Sequence, residues 1–259
     1  MRIHSKQIPA TSMVIVSFLI TSMTANAADL YLKEPDPVPV FEEPVDHLGF
    51  DWNRFYGGLN AGYIQGDLTM STDFDAPNFN TSHSMNSAIL GLTLGKNFRG
   101  ENSDLLLGIE GDIGLMDFNV SETFDVAAGA ALDDGASYRT KMDAFATLRG
   151  RLGFITGEEE RNLLYITAGL SAARASASAS GQTGDPFVTD SGWLTGYTIG
   201  GGIESAMNEK ISLKLEYLYS DLTKDLNVTI PTPGAGGTGN VNFDFRSSHV
   251  VRVGLNVHF

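Results

Sequence analysis

The chain has 259 residues, with 17 Lys and Arg against 31 Asp and Glu, a formal net charge of −14, and no cysteine. That balance excludes nucleic-acid binding, whose affinity rests on neutralising phosphates with Lys and Arg. The missing cysteine excludes disulfides, thiolate metal sites and a lipidated N-terminal Cys. Overall hydropathy is near neutral, which fits neither a helical membrane protein nor a disordered chain. It does fit a β-barrel, whose lipid-facing residues are diluted by alternate polar ones.

At the N-terminus Arg2 and Lys6 form a basic region, Met13–Ile20 a short apolar core, and Ala25-Asn26-Ala27 a small-x-small cleavage site. Residues 1–27 are predicted to be a secretory signal peptide, with the mature chain starting near Ala28. The apolar run is too short to be an anchor, because a spanning helix needs about 20 residues. Residues 28–50 hold Pro35, Pro37, Pro39 and Pro44 with six acids and one base, Lys33. Proline and charge oppose a packed core, so this segment is predicted to be an extended periplasmic tether. Residues 51–259 are predicted to form the barrel domain.

From Phe55 onward the sequence alternates with a period of two, the signature of strands with two unlike faces. The first strand sets Phe55, Leu59, Ala61 and Tyr63 against Tyr56, Asn60 and Gly62; the second sets Ala88, Leu90, Leu92, Leu94 and Phe98 against Gly91, Thr93, Gly95 and Asn97. Leu105, Leu107, Ile109, Ile113 and Leu115 follow, against Glu110 and Asp112. Then come Met142, Ala144, Ala146, Leu148, Leu152 and Phe154, against Asp143, Thr147, Arg149 and Arg151. The second half repeats the pattern in strands centred on Leu164–Leu170, Trp193–Ile203 and Ile211–Tyr219. The last strand alternates Val251, Val253, Leu255, Val257 and Phe259 with Arg252, Gly254, Asn256 and His258.

Eight candidate strands result, each long enough for the ~9–11 residues that a tilted strand needs to cross a bilayer. Their connections alternate between long (roughly 69–86, 119–139, 175–191 and 222–244) and short (Arg99–Ser103, Thr156–Arg161 and Asn208-Glu209). Long external loops and short periplasmic turns mark an outer-membrane barrel. The predicted fold is therefore all-β: an eight-stranded antiparallel up-and-down transmembrane barrel. A soluble barrel would instead put large apolar residues inside. Phe55, Tyr63, Phe98, Phe154, Trp193, Tyr217, Tyr219 and Phe259 are expected to form interfacial girdles.

The interior face carries Glu110, Asp112, Glu204 and Glu216 together with Arg149, Arg151, Lys214 and Arg252. Glu110 and Asp112 are placed to reach Arg149 and Arg151, while Glu216 and Lys214 lie near Arg252. Buried charges must be paired, and a balanced set reads as an interior charge network rather than a selectivity filter. An eight-stranded barrel is just wide enough for side chains to fill. A plugged barrel with little conductance is expected, and a small diffusion porin is the alternative.

Trp52-Asn-Arg-Phe-Tyr-Gly-Gly-Leu-Asn-Ala-Gly-Tyr63 resembles the opacity-like, porin-family surface antigens of alphaproteobacteria, small eight-stranded barrels akin to the OmpA transmembrane domain. The likeness returns at Gly201–Glu204, Leu213–Tyr219 and Phe245–Phe259. The resemblance implies residence in the outer membrane of a Gram-negative bacterium, with lipid and lipopolysaccharide as surroundings. It also implies periplasmic chaperones in transit, and a C-terminal assembly signal (Val253, Leu255, Val257 and Phe259) read by the barrel-assembly machinery. It implies no single activity, since members are described as structural antigens, adhesins, haem binders or porins. The Pro-rich N-terminal segment is longer than in common members.

A non-enzymatic, monomeric surface protein that supports envelope integrity and presents loops to a host or surface is the expectation. No catalytic, cofactor-binding or metal-ligating residue is assigned. The loop acids Asp133-Asp134-Gly135 lack EF-hand spacing, and Gly234–Gly239 lacks the context of a phosphate cradle. A haem-binding surface receptor remains a further alternative through His83 or Tyr138. The cluster Ser247, Ser248 and His249 could serve a hydrolase only if the hydroxyl and imidazole converged; His249 shares the lipid-facing register of Val251.

Overall fold

The computed structural model describes residues 49–72, 80–101, 103–123, 137–180, 188–223, 226–231 and 238–259. The predicted leader, the tether up to Leu48, the Asp133-Asp134-Gly135 segment and Gly234–Gly237 lie outside the described residues. Nine strands are present among them: β1 (Phe55–Thr72), β2 (Asn80–Arg99), β3 (Leu105–Thr123), β4 (Ser137–Thr156), β5 (Asn162–Ser180), β6 (Val188–Ala206), β7 (Ile211–Leu222), β8 (Leu226–Pro231) and β9 (Thr238–His258). Each of β2 to β7 pairs antiparallel with its predecessor, and β9 pairs with both β7 and β1 to close the ring. The short strand β8 pairs with the start of β9. The closed barrel thus has eight strands.

Three tight turns join the strands at one end. In the β4–β5 turn, Gly157 takes φ 90° ahead of the single 3-10 turn Glu158–Glu160. That left-handed backbone disfavours any residue with a Cβ. In the β6–β7 turn, the Asn208 side-chain oxygen accepts from the amides of Lys210 (3.0 Å) and Ile211 (2.9 Å). Chain residue Gly49 and the C-terminal Phe259 both lie at this end: Phe50 N donates to Glu159 O at 3.1 Å, and Phe259 N to Phe55 O at 2.9 Å.

In the half of the barrel near these turns, large apolar side chains point outward. Leu90, Leu92 and Leu94 are 64, 57 and 63% exposed, while Thr93 between them is buried at 5%. Such a belt is stable only against hydrocarbon. The aromatic residues Phe55, Tyr63, Phe98, Phe154, Trp193, Tyr217 and Phe259 are exposed on the same surface.

The strands run well beyond this belt, so much of what the sequence assigns to long loops is ordered strand. β1 continues to Thr72 and β2 begins at Asn80, both inside the expected 69–86 loop; β5 reaches Ser180, and β9 begins at Thr238. Here the alternation persists but its polarity inverts. On β1, Gln65 and Asp67 are exposed while Leu68 and Met70 are fully buried. The solvent outside has changed from lipid to water, and the interior has changed from charged to apolar. The large inward-facing apolar residues expected only of a soluble barrel thus appear in this half.

The extended half is also no longer a ring. Pairing between β2 and β3 stops at Ile89–Met116, and pairing between β6 and β7 stops at Gly196–Leu222. Beyond those points β2, β1, β9 and β8 form one four-stranded sheet, and β3, β4, β5 and β6 form another. Their inner faces pack as a sandwich. Leu68, Met70, Phe243 and Phe245 come from the first sheet; Phe118, Tyr138, Ala175 and Leu194 come from the second.

Register shifts at Gly66/Leu68, Leu115/Phe118 and Met142/Ala144 mark the level where the barrel divides. Bulges of this kind bend a strand and re-aim its side chains. The last of them corrects the reading of β4. Met142, expected on the lipid side with Leu148, is buried at 3% because the irregularity changes the inward parity between Met142 and Phe145.

The belt predicts a depth-dependent penalty. Leu94→Arg should destabilise the refolded protein by about 2–4 kcal/mol, the cost of a cation near a bilayer midplane. Ser84→Arg, on the exposed outer face of the same strand above the belt, should cost little. Urea unfolding in lipid vesicles measures both.

Candidate functional site

The lumen within the lipid-facing half is filled by one connected set of side chains. Successive inward positions on β3 bring Glu110 and Asp112; on β4, Arg149 lies opposite Glu110 and Arg151 opposite Gly108. Across the closing seam, β7 and β9 bring Lys214, Glu216 and Arg252, with Glu216 opposite Arg252. Glu204 enters from β6, opposite Lys214.

Glu110 is the hub. It accepts from Arg149 and from Arg151 (3.2 Å), Lys214 Nζ (2.9 Å) and the Tyr56 hydroxyl (2.8 Å). Asp112 accepts from Arg149 at 2.6 Å and from the Thr93 and Thr147 hydroxyls at 2.6 and 2.9 Å, and Arg252 lies 3.0 Å away. Glu216 accepts from Arg149 (2.9 Å), Arg252 Nε (2.6 Å) and the Tyr165 hydroxyl (2.8 Å). Glu204 accepts from Arg151 (2.7 Å), the Ser212 hydroxyl (2.6 Å) and Asn256 (2.7 Å).

All eight charged residues singled out in the sequence therefore meet in this layer, four acids against four bases, each no more than 8% exposed. Lys214 differs in detail: its ammonium reaches across to Glu110 instead of staying with the β9 face. The alternation sets the neutral members of the layer on this inward face, but only the charged residues are assigned to the network from sequence. Tyr56, Tyr165, Thr93, Thr147, Ser212 and Asn256 share the parity of the charged residues, and that parity is the signal that could have named them. The packing also needs small residues opposite large ones. A Cβ on Gly95 would lie 2.3 Å from the Tyr56 hydroxyl, so β2 leaves room for that ring.

Toward the tight turns an apolar stopper closes the lumen. Trp52, fully buried, donates from its indole to Glu160 O at 2.7 Å and packs with Phe50, Leu106, Ile155, Leu163, Tyr165 and Ala206. Phe50 meets Trp52 edge-on at 4.6 Å and His258 at 4.9 Å. Phe50 is thus part of the packed domain, one residue earlier than the boundary at 51. Outside the stopper, Arg99 pairs with Glu160, and its hydrogen bond holds the Glu160 carboxyl below the usual carboxylate range.

The remaining sequence candidates lie at two places above and along the belt. His83 and Tyr138 are within 2.8 Å of each other, bridging the two upper sheets, with Tyr138 1% exposed. Ser248 is buried on the inner face, whereas His249 is on the outer face against Tyr217 (2.7 Å); hydroxyl and imidazole point to opposite sides of one strand. Val253, Leu255, Val257 and Phe259 are 48, 48, 45 and 70% exposed on the belt, and the Phe259 ring stacks on Phe55 at 6.5 Å.

A closed antiparallel barrel with an apolar belt, aromatic residues along it and a neutralised polar lumen is an integral protein of a bacterial outer membrane, with its tight turns on the periplasmic side. The chain belongs to the outer membrane protein beta-barrel domain family, whose model matches residues 43–259. It is 34% identical to the 31 kDa outer-membrane immunogenic protein of Brucella melitensis over 91% of this chain and 94% of that one. It is 28% identical to a 22 kDa outer membrane protein of Rhizobium leguminosarum bv. viciae, over 84% of this chain and 82% of that one. Among solved structures, the outer membrane protein OprG from Pseudomonas aeruginosa shares the fold, with a TM-score of 0.51 and 13% identity over 82% of this chain and 98% of that one.

Two outcomes follow from the electrostatics. Glu110→Gln removes the hub charge and leaves buried cations under-compensated, so stability in vesicles should fall by about 3–5 kcal/mol. The Glu160 carboxylate, with its depressed folded pKa, contributes stability that is present above the unfolded value near 4.5 and is lost as pH falls through the folded value. The pair is partly exposed and screened, so Glu160→Gln should cost under about 1 kcal/mol at pH 7. It should also reduce the acid sensitivity of unfolding in parallel urea titrations at pH 7 and pH 3.

Proposed function

We propose that this protein is a non-enzymatic structural barrel of the outer membrane that supports the envelope and presents its extended upper sheets to the exterior. The observation that carries this reading is the lumen layer in which Glu110, Asp112, Glu204 and Glu216 are each saturated by basic and hydroxyl partners. A selectivity filter needs charge that faces a passing ion, and these carboxylates face Arg and Lys. The stopper around Trp52 below and the apolar sandwich above support the same reading, because each fills the lumen at a separate level.

Presentation to the exterior is supported by the water-facing outer surface of the strands beyond the belt, where Asp67, Asn86, Asp117 and Arg139 are exposed. The relatives named as immunogenic outer-membrane proteins agree with a surface display role. Outer-leaflet lipid and lipopolysaccharide are the proposed surroundings of the belt. The barrel-assembly machinery is the proposed reader of Val253, Leu255, Val257 and Phe259, with periplasmic chaperones in transit, and the working form is a monomer.

Planar-bilayer recording of the purified, refolded protein separates this role from that of a diffusion porin. The expected record shows no reproducible ohmic steps. Regular steps scaling with salt concentration would overturn the closed-lumen reading.

A further inference from the structure

The lipid-facing surface of β2, β3 and β4 is not evenly filled. The outward position on β3 that lies opposite both Leu94 and Leu148 is Gly111. With no side chain at this place the belt is dented. The dent is part of a groove of about 760 Å³, within the roughly 300–1,000 Å³ of small-molecule sites. Its apolar walls are Leu92, Leu94, Ile109, Ile113 and Leu148, each between 52 and 63% exposed on the outer face. Interior packing does not demand the glycine: a Cβ on Gly111 would have Thr147 O as its nearest neighbour, at an ordinary 3.8 Å.

Phe55 and Lys96 line the periplasmic end of the groove. Lys96 shares the outward parity of Leu94 and Phe98, and β2 ends at Arg99. Its stem runs toward the periplasmic edge, as lysine does near an interface. The ammonium sits 4.8 Å from the centre of the Phe55 ring and 5.7 Å from that of Phe98, and it donates to Asn53 O at 3.2 Å. An ammonium has three donors, so this bond does not exhaust it. Asp51, which feels the charge of Lys96, is itself paired with Arg54 at 2.8 Å.

The depth of the groove selects a leaflet. From Leu92 to Phe98 an extended strand rises about 20 Å. Tilted by roughly 40°, that length covers about 15 Å of depth, half of the ~30 Å hydrocarbon core. The groove thus spans the periplasmic leaflet, with its cation at headgroup level. Its apolar length matches an acyl chain, and its cation matches a phosphate. A cation here favours a net-negative head over a zwitterionic one, whose own ammonium it repels.

We propose that the Gly111 groove binds one glycerophospholipid of net-negative head from the periplasmic leaflet. One acyl chain lies over Gly111 between Leu94 and Leu148, and the phosphate meets the Lys96 ammonium. This goes beyond the structural role above and stands whether or not the lumen conducts.

Native mass spectrometry of the refolded protein, released from octyl tetraethylene glycol ether micelles, tests it. The protein is titrated with palmitoyl-oleoyl phosphatidylglycerol or with the phosphatidylcholine of the same chains. The parent should retain one phosphatidylglycerol, several-fold more than phosphatidylcholine. Lys96→Gln should erase that preference. Gly111→Phe, which fills the groove, should lower both adducts several-fold, while Ala168→Phe, at an exposed belt position on β5, should leave them unchanged. Equal retention of the two lipids by the parent, an unchanged preference in Lys96→Gln, equal effects of Gly111→Phe and Ala168→Phe, or a dimer in place of the lipid adduct would overturn the proposal. If Gly111→Phe fails to fold, Gly111→Leu serves in its place, and the same outcomes decide.

Discussion

Everything in this structure depends on a constraint of charge: eight ionised side chains share a space without enough water to solvate them. Four carboxylates and four cations can occupy that space only as mutual partners. The eight-stranded ring sets its width, and the pairing of β3 with β4 and of β7 with β9 sets which charges face one another. Hydroxyls from Tyr56, Tyr165, Thr93, Thr147 and Ser212 take up carboxylate lone pairs that the bases leave over. Glycines on neighbouring strands make the room. The layer is at once the core of the membrane-embedded half and the barrier across it.

Above the layer the same chain solves a different problem. Once the strands leave lipid they face water outside, and the stable arrangement is apolar inside. The inversion between Tyr63 and Leu68 on β1 shows this within a few residues. A ring with no charges to span it can collapse, and it does so by splitting along two lines into a sandwich, with bulges absorbing the change of direction. One of those lines runs between β2 and β3 above Ile89–Met116.

The fold was legible because outer-membrane strands alternate strictly and because short and long connections alternate too. The charged layer was legible because eight ionisable residues recur on the glycine-bearing face, and registers follow once neighbours are known. Three things were hidden. The sequence assigns the extended strands to loops because their outward residues, such as Ser84, Asn86 and Asn119, are those of ordinary loops, and the inverted alternation carries no lipid signal. The outward placement of Met142 failed because a single irregularity near Asp143 flips parity, and periodicity alone cannot locate a bulge. Trp52 was invisible as a stopper because it precedes the first alternating residue, and its burial arises from packing against β5 and the β4–β5 turn, far away in sequence.

The most direct test of the account is a double-mutant cycle on Arg149 and Glu216, paired at 2.9 Å with both side chains fully buried. Arg149→Met, Glu216→Gln and the double variant would be compared with the parent by reversible unfolding in vesicles. A cooperative layer predicts that the double variant is more stable than the sum of the single losses allows, with a coupling within the range of about 0.5–3 kcal/mol seen for contacting residues. Additive losses would contradict the claim that the lumen is held by mutual neutralisation.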